Sequence, residues 1–215
     1  MTDRAYRWAL PDRPIFLAST SPTRQKMMED AGLRVDAIAA PIDEEAIRIA
    51  GTAEGLSAVD IAILLAEMKA ARLAMQKPEG LVIGCDQILL CEEEIFAKPA
   101  DIDSAHSQLQ HLAGKDHILV TAAVIFDKGQ RIWHHCAMPK LRIRPLSDAE
   151  ITAYLNALGP AALASPGSYQ IEGLGAQILQ KIDGDPYSIL GMPLLEILQF
   201  LREHGLGCMP EKDGQ

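Results

Sequence analysis

The chain has 215 residues, enough for one large globular domain or two small lobes around a shared core. Hydrophobic residues make up 48% and charged residues 23%, the values of a folded chain, which excludes global disorder. Lys and Arg total 20 against 29 Asp and Glu, a net charge of −9, and aromatics are 5%. That balance argues against binding of DNA, RNA or an anionic membrane surface, but not against a local basic pocket for a small anion.

No apolar run approaches the roughly 18 residues of a membrane span, and the first residues lack the apolar stretch of a signal peptide. Cys85, Cys91, Cys136 and Cys208 form no C-x-x-C pair, so neither a zinc site nor a disulfide framework is expected. Cytoplasmic residence with reduced thiols is the default reading. Oligomeric state is not written in the sequence, and a homodimer is the commonest assembly for such a chain.

In chain order, an extension over 1–14 leads into a short strand at 15–18. Ser21-Pro22 then opens a helix that stops at Gly32, with a hydroxyl cap and proline at the first helical position. Residues 35–40 read as a strand, followed by an acidic loop of Asp43, Glu44 and Glu45. Ser57 and Asp60 form a capping box for a helix ending before Lys77-Pro78. Residues 81–90 are the most strand-like run, eight of ten being apolar or glycine, as suits burial on both faces. A helix follows over 102–113, then strands at 118–126 and 132–143 around a turn at 127–129. Ser147 and Glu150 cap a helix that stops at Gly159. The Gly-, Pro- and Ser-rich stretch 160–175 reads as a functional loop, 176–182 as a strand, and 193–205 as a last helix. The tail 206–215 is expected to fray. Helices alternate with strands but hairpin-like pairs occur too, so the class is α/β with a mixed sheet.

Three segments carry candidate chemistry. Ser19, Ser21 and Arg24 sit at a strand-to-helix turn, where free N–H groups and the helix dipole favour an anion; Ser21 as a mere cap with a solvated Arg24 is the alternative. Asp86 lies inside an apolar strand, where an unpaired carboxylate is costly, unless the strand ends early and Asp86 is in a loop. The trio Asp43, Glu44 and Glu45 suits Mg²⁺, or is a solvated acidic loop. Lys69 and Lys98 read as surface lysines unless a pocket gathers them.

Other features carry nothing. His134 and His135 point to opposite faces of a strand and cannot share a metal. Gly173-Leu-Gly175 precedes a strand rather than a helix, so it is no dinucleotide fingerprint. Gly114-Lys115-Asp116 fails the P-loop pattern, and no G-x-S-x-G occurs.

Taken in order, Leu17-Ala-Ser-Thr-Ser-Pro-Thr-Arg24, Ile42-Asp-Glu44, Leu65-Ala-Glu-Met-Lys69-Ala, Ile83-Gly-Cys-Asp86-Gln87, Lys98-Pro99, Gly167-Ser-Tyr-Gln-Ile-Glu172-Gly and Leu190-Gly-Met-Pro-Leu194 span nearly the whole chain. Together they resemble the Maf family of nucleoside triphosphate pyrophosphatases. The resemblance implies one domain over 15–205 with an elongated, two-lobed Maf/inosine-triphosphatase-like α/β fold, a mixed central sheet flanked by helices, and a deep cleft. It implies hydrolysis of a nucleoside triphosphate to the monophosphate and pyrophosphate, with Mg²⁺ or Mn²⁺ as cofactor. Asp86 matches the family's proton acceptor, and Glu44 joins it as a metal-associated carboxylate. Arg24, Lys69 and Lys98 match the cations around the triphosphate, with Ser19 and Ser21 on phosphate oxygens.

Base choice is implied at three positions. Family members acting on dTTP and UTP carry Arg, Thr and Gln where this chain has Thr23, Gln87 and Glu172; members acting on 7-methyl-GTP carry Trp, Gln and Glu. The chain agrees with the second group at Gln87 and Glu172 and with neither at Thr23. Glu172 can accept from N1–H and the exocyclic amine of a guanine, so a modified purine is the expected substrate. The alternatives are a dTTP/UTP pyrophosphatase, a nucleotide-binding division regulator with incidental hydrolysis, and a phosphatase releasing inorganic phosphate.

Overall fold

The structure, a computed structural model, describes residues 13–206 together with the backbone of Trp8–Ala9 and Met209–Pro210. Trp8–Ala9 (β1) pairs antiparallel with Met209–Pro210 (β10), so strand pairing joins the two ends of the chain. The rest of the extension before residue 13 and of the tail after 206, Cys208 included, falls outside the described residues.

Ile15–Leu17 (β2) is central to a parallel trio. Val35–Ala37 (β3) lies on one side and Leu81–Cys91 (β4) on the other, in register Leu17↔Ala37 and Leu17↔Ile83. Pro22–Asp30 (α1), Glu44–Ala53 (α2) and Ala58–Ala74 (α3) occupy the crossovers. After Glu94–Phe96 (β5) and Ile102–Leu112 (α4), Asp116–Asp127 (β6) runs antiparallel to β4. Gln130–Ala137 (β7) and Lys140–Ile143 (β8) share β6's other edge, and Leu179–Asp183 (β9) closes that end. Asp148–Leu158 (α5), Pro186–Ile189 (α6) and Leu194–Glu203 (α7) complete the helices. The result is an eight-stranded mixed sheet with helices against it, the expected class. No helix among the described residues is long and apolar enough to cross a membrane.

Several expected boundaries move. The strand at 35–40 stops at Ala37 because its partner β2 stops at Leu17. The acidic loop is instead the start of α2, with Asp43 as its N-cap accepting from the Ala46 N–H. The single strand at 132–143 is two, separated at Met138-Pro139, where proline offers no N–H to the ladder. Leu174–Gln177 forms a 3₁₀ turn, so the strand expected from 176 starts at Leu179. The stretch read as a loop over 160–175 is built largely of 3₁₀ turns.

Alternation along β4 explains why it is apolar on both faces. Leu81, Ile83 and Cys85 pack with Met27 and Met28 of α1 and with Ile197 and Leu201 of α7. Val82 packs with Ile61, Leu65, Ala66 and Ala70 of α3 on the other face. Further along, Leu89 and Cys91 join Leu109, Leu112 and Leu155 in a third cluster. Gly84 lets α3 approach the strand backbone: a Cβ there would stand 2.2 Å from the Ala66 carbonyl oxygen and 2.9 Å from Ala70 Cβ. Gly84→Ala is therefore expected to destabilise the protein by about 3 kcal/mol, because backbone rather than a flexible side chain must yield. A urea midpoint equal to that of the wild type would contradict this contact.

Candidate active site

β4 has a gap along one edge. β2 pairs with it as far as Ile83 and β5 from Leu89 onward, so residues 84–88 lack a strand neighbour on that side. The gap opens at the carboxyl ends of β2 and β3, where open α/β sheets place ligands. Beside it is a pocket of about 660 Å³.

At the head of the pocket, Ser21 caps α1 by accepting from the Arg24 N–H, and its own N–H donates to Ser19 Oγ at 3.1 Å. Arg24 is not a solvated first-turn residue. Its Nε donates to the Gly191 carbonyl at 2.8 Å and its Nη1 to the Cys85 carbonyl at 3.1 Å, inside the β4 gap. Three segments far apart in sequence are thus joined by one guanidinium.

Asp86 faces α3, and the strand does not end before it. Lys69 Nζ lies 2.6 Å from Asp86 Oδ1 and 2.7 Å from Glu44 Oε1. Lys69 and Asp86 are 8% and 5% exposed, so Lys69 is no surface lysine. Burial pushes the Asp86 carboxyl above its usual range, against the pull of Lys69 and Arg24. Glu44 is also raised by burial, but Lys69, with Lys98 and Arg48, brings it below its usual range. The neighbouring Cys85 thiol is pushed up to about 11 by burial and is not a thiolate nucleophile.

Gln87, on the opposite face of β4, is held from behind. Its Nε2 donates to Thr121 Oγ1 at 2.8 Å and to the Ser188 and Ile189 carbonyls at 3.0 and 3.1 Å. Carbonyl partners fix the orientation of the amide, and the group left to it is an acceptor oxygen. Glu172, on the same pocket, belongs to a segment with consecutive left-handed residues, Gly167 (φ 73°) and Ser168 (φ 56°). A Cβ on Gly167 would stand 2.7 Å from Leu89 Cδ1 and 3.2 Å from Leu112 Cδ1, so the segment rests directly on the third core cluster.

Ser19, Ser21, Thr23, Arg24, Glu44, Lys69, Asp86, Gln87, Lys98 and Glu172 all line this one pocket; of the acidic trio only Glu44 does, Asp43 serving as the α2 cap and Glu45 lying outside the lining. Sequence reasoning missed Arg48, Tyr169 and Gln170, which line it too. Arg48 follows Glu44 by one helical turn, a spacing that becomes visible only once 44–53 is known to be helical. The lining carries four cationic side chains against three carboxylates, a positive balance in a chain of net charge −9. Glu44 and Asp86 each give one oxygen to Lys69 and have no hydrogen-bond partner at the other among the described residues. That donor set suits a hard cation held by one or two carboxylates and completed by phosphate oxygens. No cluster of three His, Cys, Asp or Glu side chains placed to hold a metal occurs among the described residues.

Removing Lys69 tests the pair. Without its charge Asp86 moves further up, and a carboxyl raised in the folded state lends stability that is lost as pH rises through its folded value. The Lys69→Met deficit relative to wild type should therefore be larger near pH 8, at about 3–5 kcal/mol, than near pH 5. Urea midpoints at both values measure it; an equal deficit at each would show that Asp86 does not depend on Lys69.

A family profile described as "Maf-like protein" matches residues 14–204. A nucleoside triphosphate pyrophosphatase of Rhodospirillum rubrum is 46% identical over 90% of this chain and 96% of its own length. A 7-methyl-GTP pyrophosphatase of Mesorhizobium japonicum is 43% identical over 89% and 96%, and one of Brucella abortus 40% identical over 87% and 94%. The ordered motifs, the mixed sheet and the matched span agree: the chain belongs to the Maf family.

Proposed function

We propose that this protein hydrolyses a nucleoside triphosphate between the α and β phosphates, releasing pyrophosphate and the monophosphate. The observation that carries the reading is the buried Asp86, held by Lys69 in a pocket where Arg24, Arg48 and Lys98 add positive charge. The names of the relatives at 40–46% identity support it.

Asp86 is the acceptor for the proton of the attacking water, and its fixed position on β4 holds that water in line with the α-phosphorus. Lys69 favours the ionised form of the carboxylate against burial and orients it. Ser19, Ser21 and the first turn of α1 bind phosphate oxygens. Lys98, Arg48 and Arg24 offset the charge that builds on the departing pyrophosphate. Glu44 and Asp86 would hold a divalent cation, Mg²⁺ or Mn²⁺, which when bound supplies Lewis-acid charge to the phosphate oxygens. With pyrophosphate collection from a nucleotide panel, the expected products are pyrophosphate and monophosphate. Asp86→Asn should lower kcat by about 100-fold or more with the fold retained by circular dichroism. Inorganic phosphate plus a diphosphate, or near-normal turnover in Asp86→Asn, would refute the assignment.

For the base, the geometry favours a donor-rich edge. Gln87 has only an acceptor left and Glu172 is a carboxylate, which together suit the N1–H and exocyclic amine of a guanine such as 7-methylguanine. Thr23 offers no stacking plane, so selectivity rests on these acceptors. Glu172→Gln is expected to lower kcat/KM for 7-methyl-GTP by about tenfold and to leave UTP nearly unchanged. Turnover of dTTP and UTP about ten times faster than 7-methyl-GTP in the wild type would overturn the purine preference.

A further inference from the structure

One face of β6 presents His117, Leu119 and Thr121 in alternation. Leu119 lines the pocket. The two polar residues beside it are 1% and 0% exposed, and each holds a group that itself lines the pocket. Thr121 receives the Gln87 amide and donates to the Ser188 carbonyl at 2.8 Å. His117 meets Tyr169: its Nε2 is 2.6 Å from the phenol oxygen, and the rings meet edge to face at 5.5 Å.

This imidazole is expensive to bury. Its Nδ1 is buried with no hydrogen-bond partner among the described residues, and the residues beside it, Leu141 across the ladder and Tyr169, belong to the apolar third cluster. A half-satisfied polar group is less favourable there than a leucine unless the bond it does make has a use. Charge is not that use, since burial holds the imidazole down at about 4 and it is neutral at pH 7. Burial also keeps the Tyr169 phenol protonated. The phenol has no other acceptor among the described residues, so it donates to Nε2 and the ring proton belongs on Nδ1.

Tyr169 sits where the segment needs an anchor. It follows the left-handed pair Gly167 and Ser168 and precedes Gln170, Ile171 and Glu172 of the pocket wall. The backbone on either side of it is held as well: the Ser168 carbonyl accepts from the Tyr154 hydroxyl and the Tyr169 carbonyl from Ser165 Oγ, both at 3.0 Å. A left-handed serine persists only where its surroundings over-determine it. The Gly167 N–H donates to Gln108 Oε1 of α4 at 3.1 Å and Gly167 packs on Leu89 of β4, but of the segment's hydrogen bonds named here only the one to His117 reaches the central sheet.

We propose that His117 is a positioning residue for base selection, acting through the Tyr169 hydroxyl to fix residues 164–172 and with them Glu172. The proposal rests on the nucleotide reading above. His117 touches no substrate; it sets where an acceptor stands.

Tyr169→Phe removes only the hydroxyl, and His117→Leu removes the other end of the same bond. Each should raise KM for 7-methyl-GTP about three- to tenfold, more than it lowers kcat, and the double variant should be no worse than either single one. Inhibition by inorganic pyrophosphate, which has no base, should shift by less than about twofold. His117→Gln, whose amide can reach the phenol, should restore KM. Unchanged KM in Tyr169→Phe, additive losses in the double variant, or equal shifts for nucleotide and pyrophosphate would overturn the proposal. Amide hydrogen exchange over 164–172, measured on the protein alone, separates the two readings. Exchange should quicken in Tyr169→Phe. If it does so while no nucleotide is turned over by the wild type, the enzyme reading fails and the anchor stands; unaltered exchange removes the anchor itself.

Discussion

A single ammonium group organises this molecule. Lys69 is nearly buried, yet it lies within hydrogen-bonding distance of carboxylates from a helix start and from the middle of a strand. Desolvating an ammonium and a carboxylate is unfavourable, and their attraction offsets that only in good geometry. The surrounding fold supplies the geometry. Gly84 admits α3 to the strand backbone, which sets the distance from Lys69 to Asp86. Asp43 fixes where α2 begins, which presents Glu44 to the same ammonium. The arrangement is thus a device for orientation rather than a source of stability.

The gap in β4's edge gives that device a place to act. A strand paired on both sides buries its side chains between helices; five residues released on one side can present both faces to one pocket. Asp86 and Gln87 therefore bring different chemistry from adjacent positions. The carboxylate is held by a charge and the amide by backbone carbonyls. Arg24 takes up the Cys85 carbonyl within the gap, so one exposed backbone acceptor of the open edge is paired.

Much of this was legible in the sequence because the signals are local. Ser21-Pro22, the Ser57 and Ser147 capping boxes and the apolar run at 81–90 each mark an element without reference to the rest of the chain. The family resemblance gathered ten lining residues that composition alone left scattered. Lys69 shows the limit: on a helix of small and apolar residues it reads as surface, and only the partner 17 residues away makes it interior. The helix at 44–53 was hidden by Gly51 and Thr52, poor helix formers; Gly51 is nonetheless where Ile61 of α3 comes close, to 3.0 Å from a Cβ placed there. His117 gave no signal, because its partner Tyr169 is 52 positions along the chain.

Gly167 rests on Leu89 and Leu112, two side chains that belong to the hydrophobic core rather than to any site. The wall that carries Glu172 is thus seated on residues whose ordinary business is packing. Volume changes at Leu89 or Leu112 reach the pocket as a displaced wall segment, so repacking this core for thermal resistance also reshapes the pocket. In this half of the protein, the packing of the core and the shape of the pocket wall depend on one set of side chains.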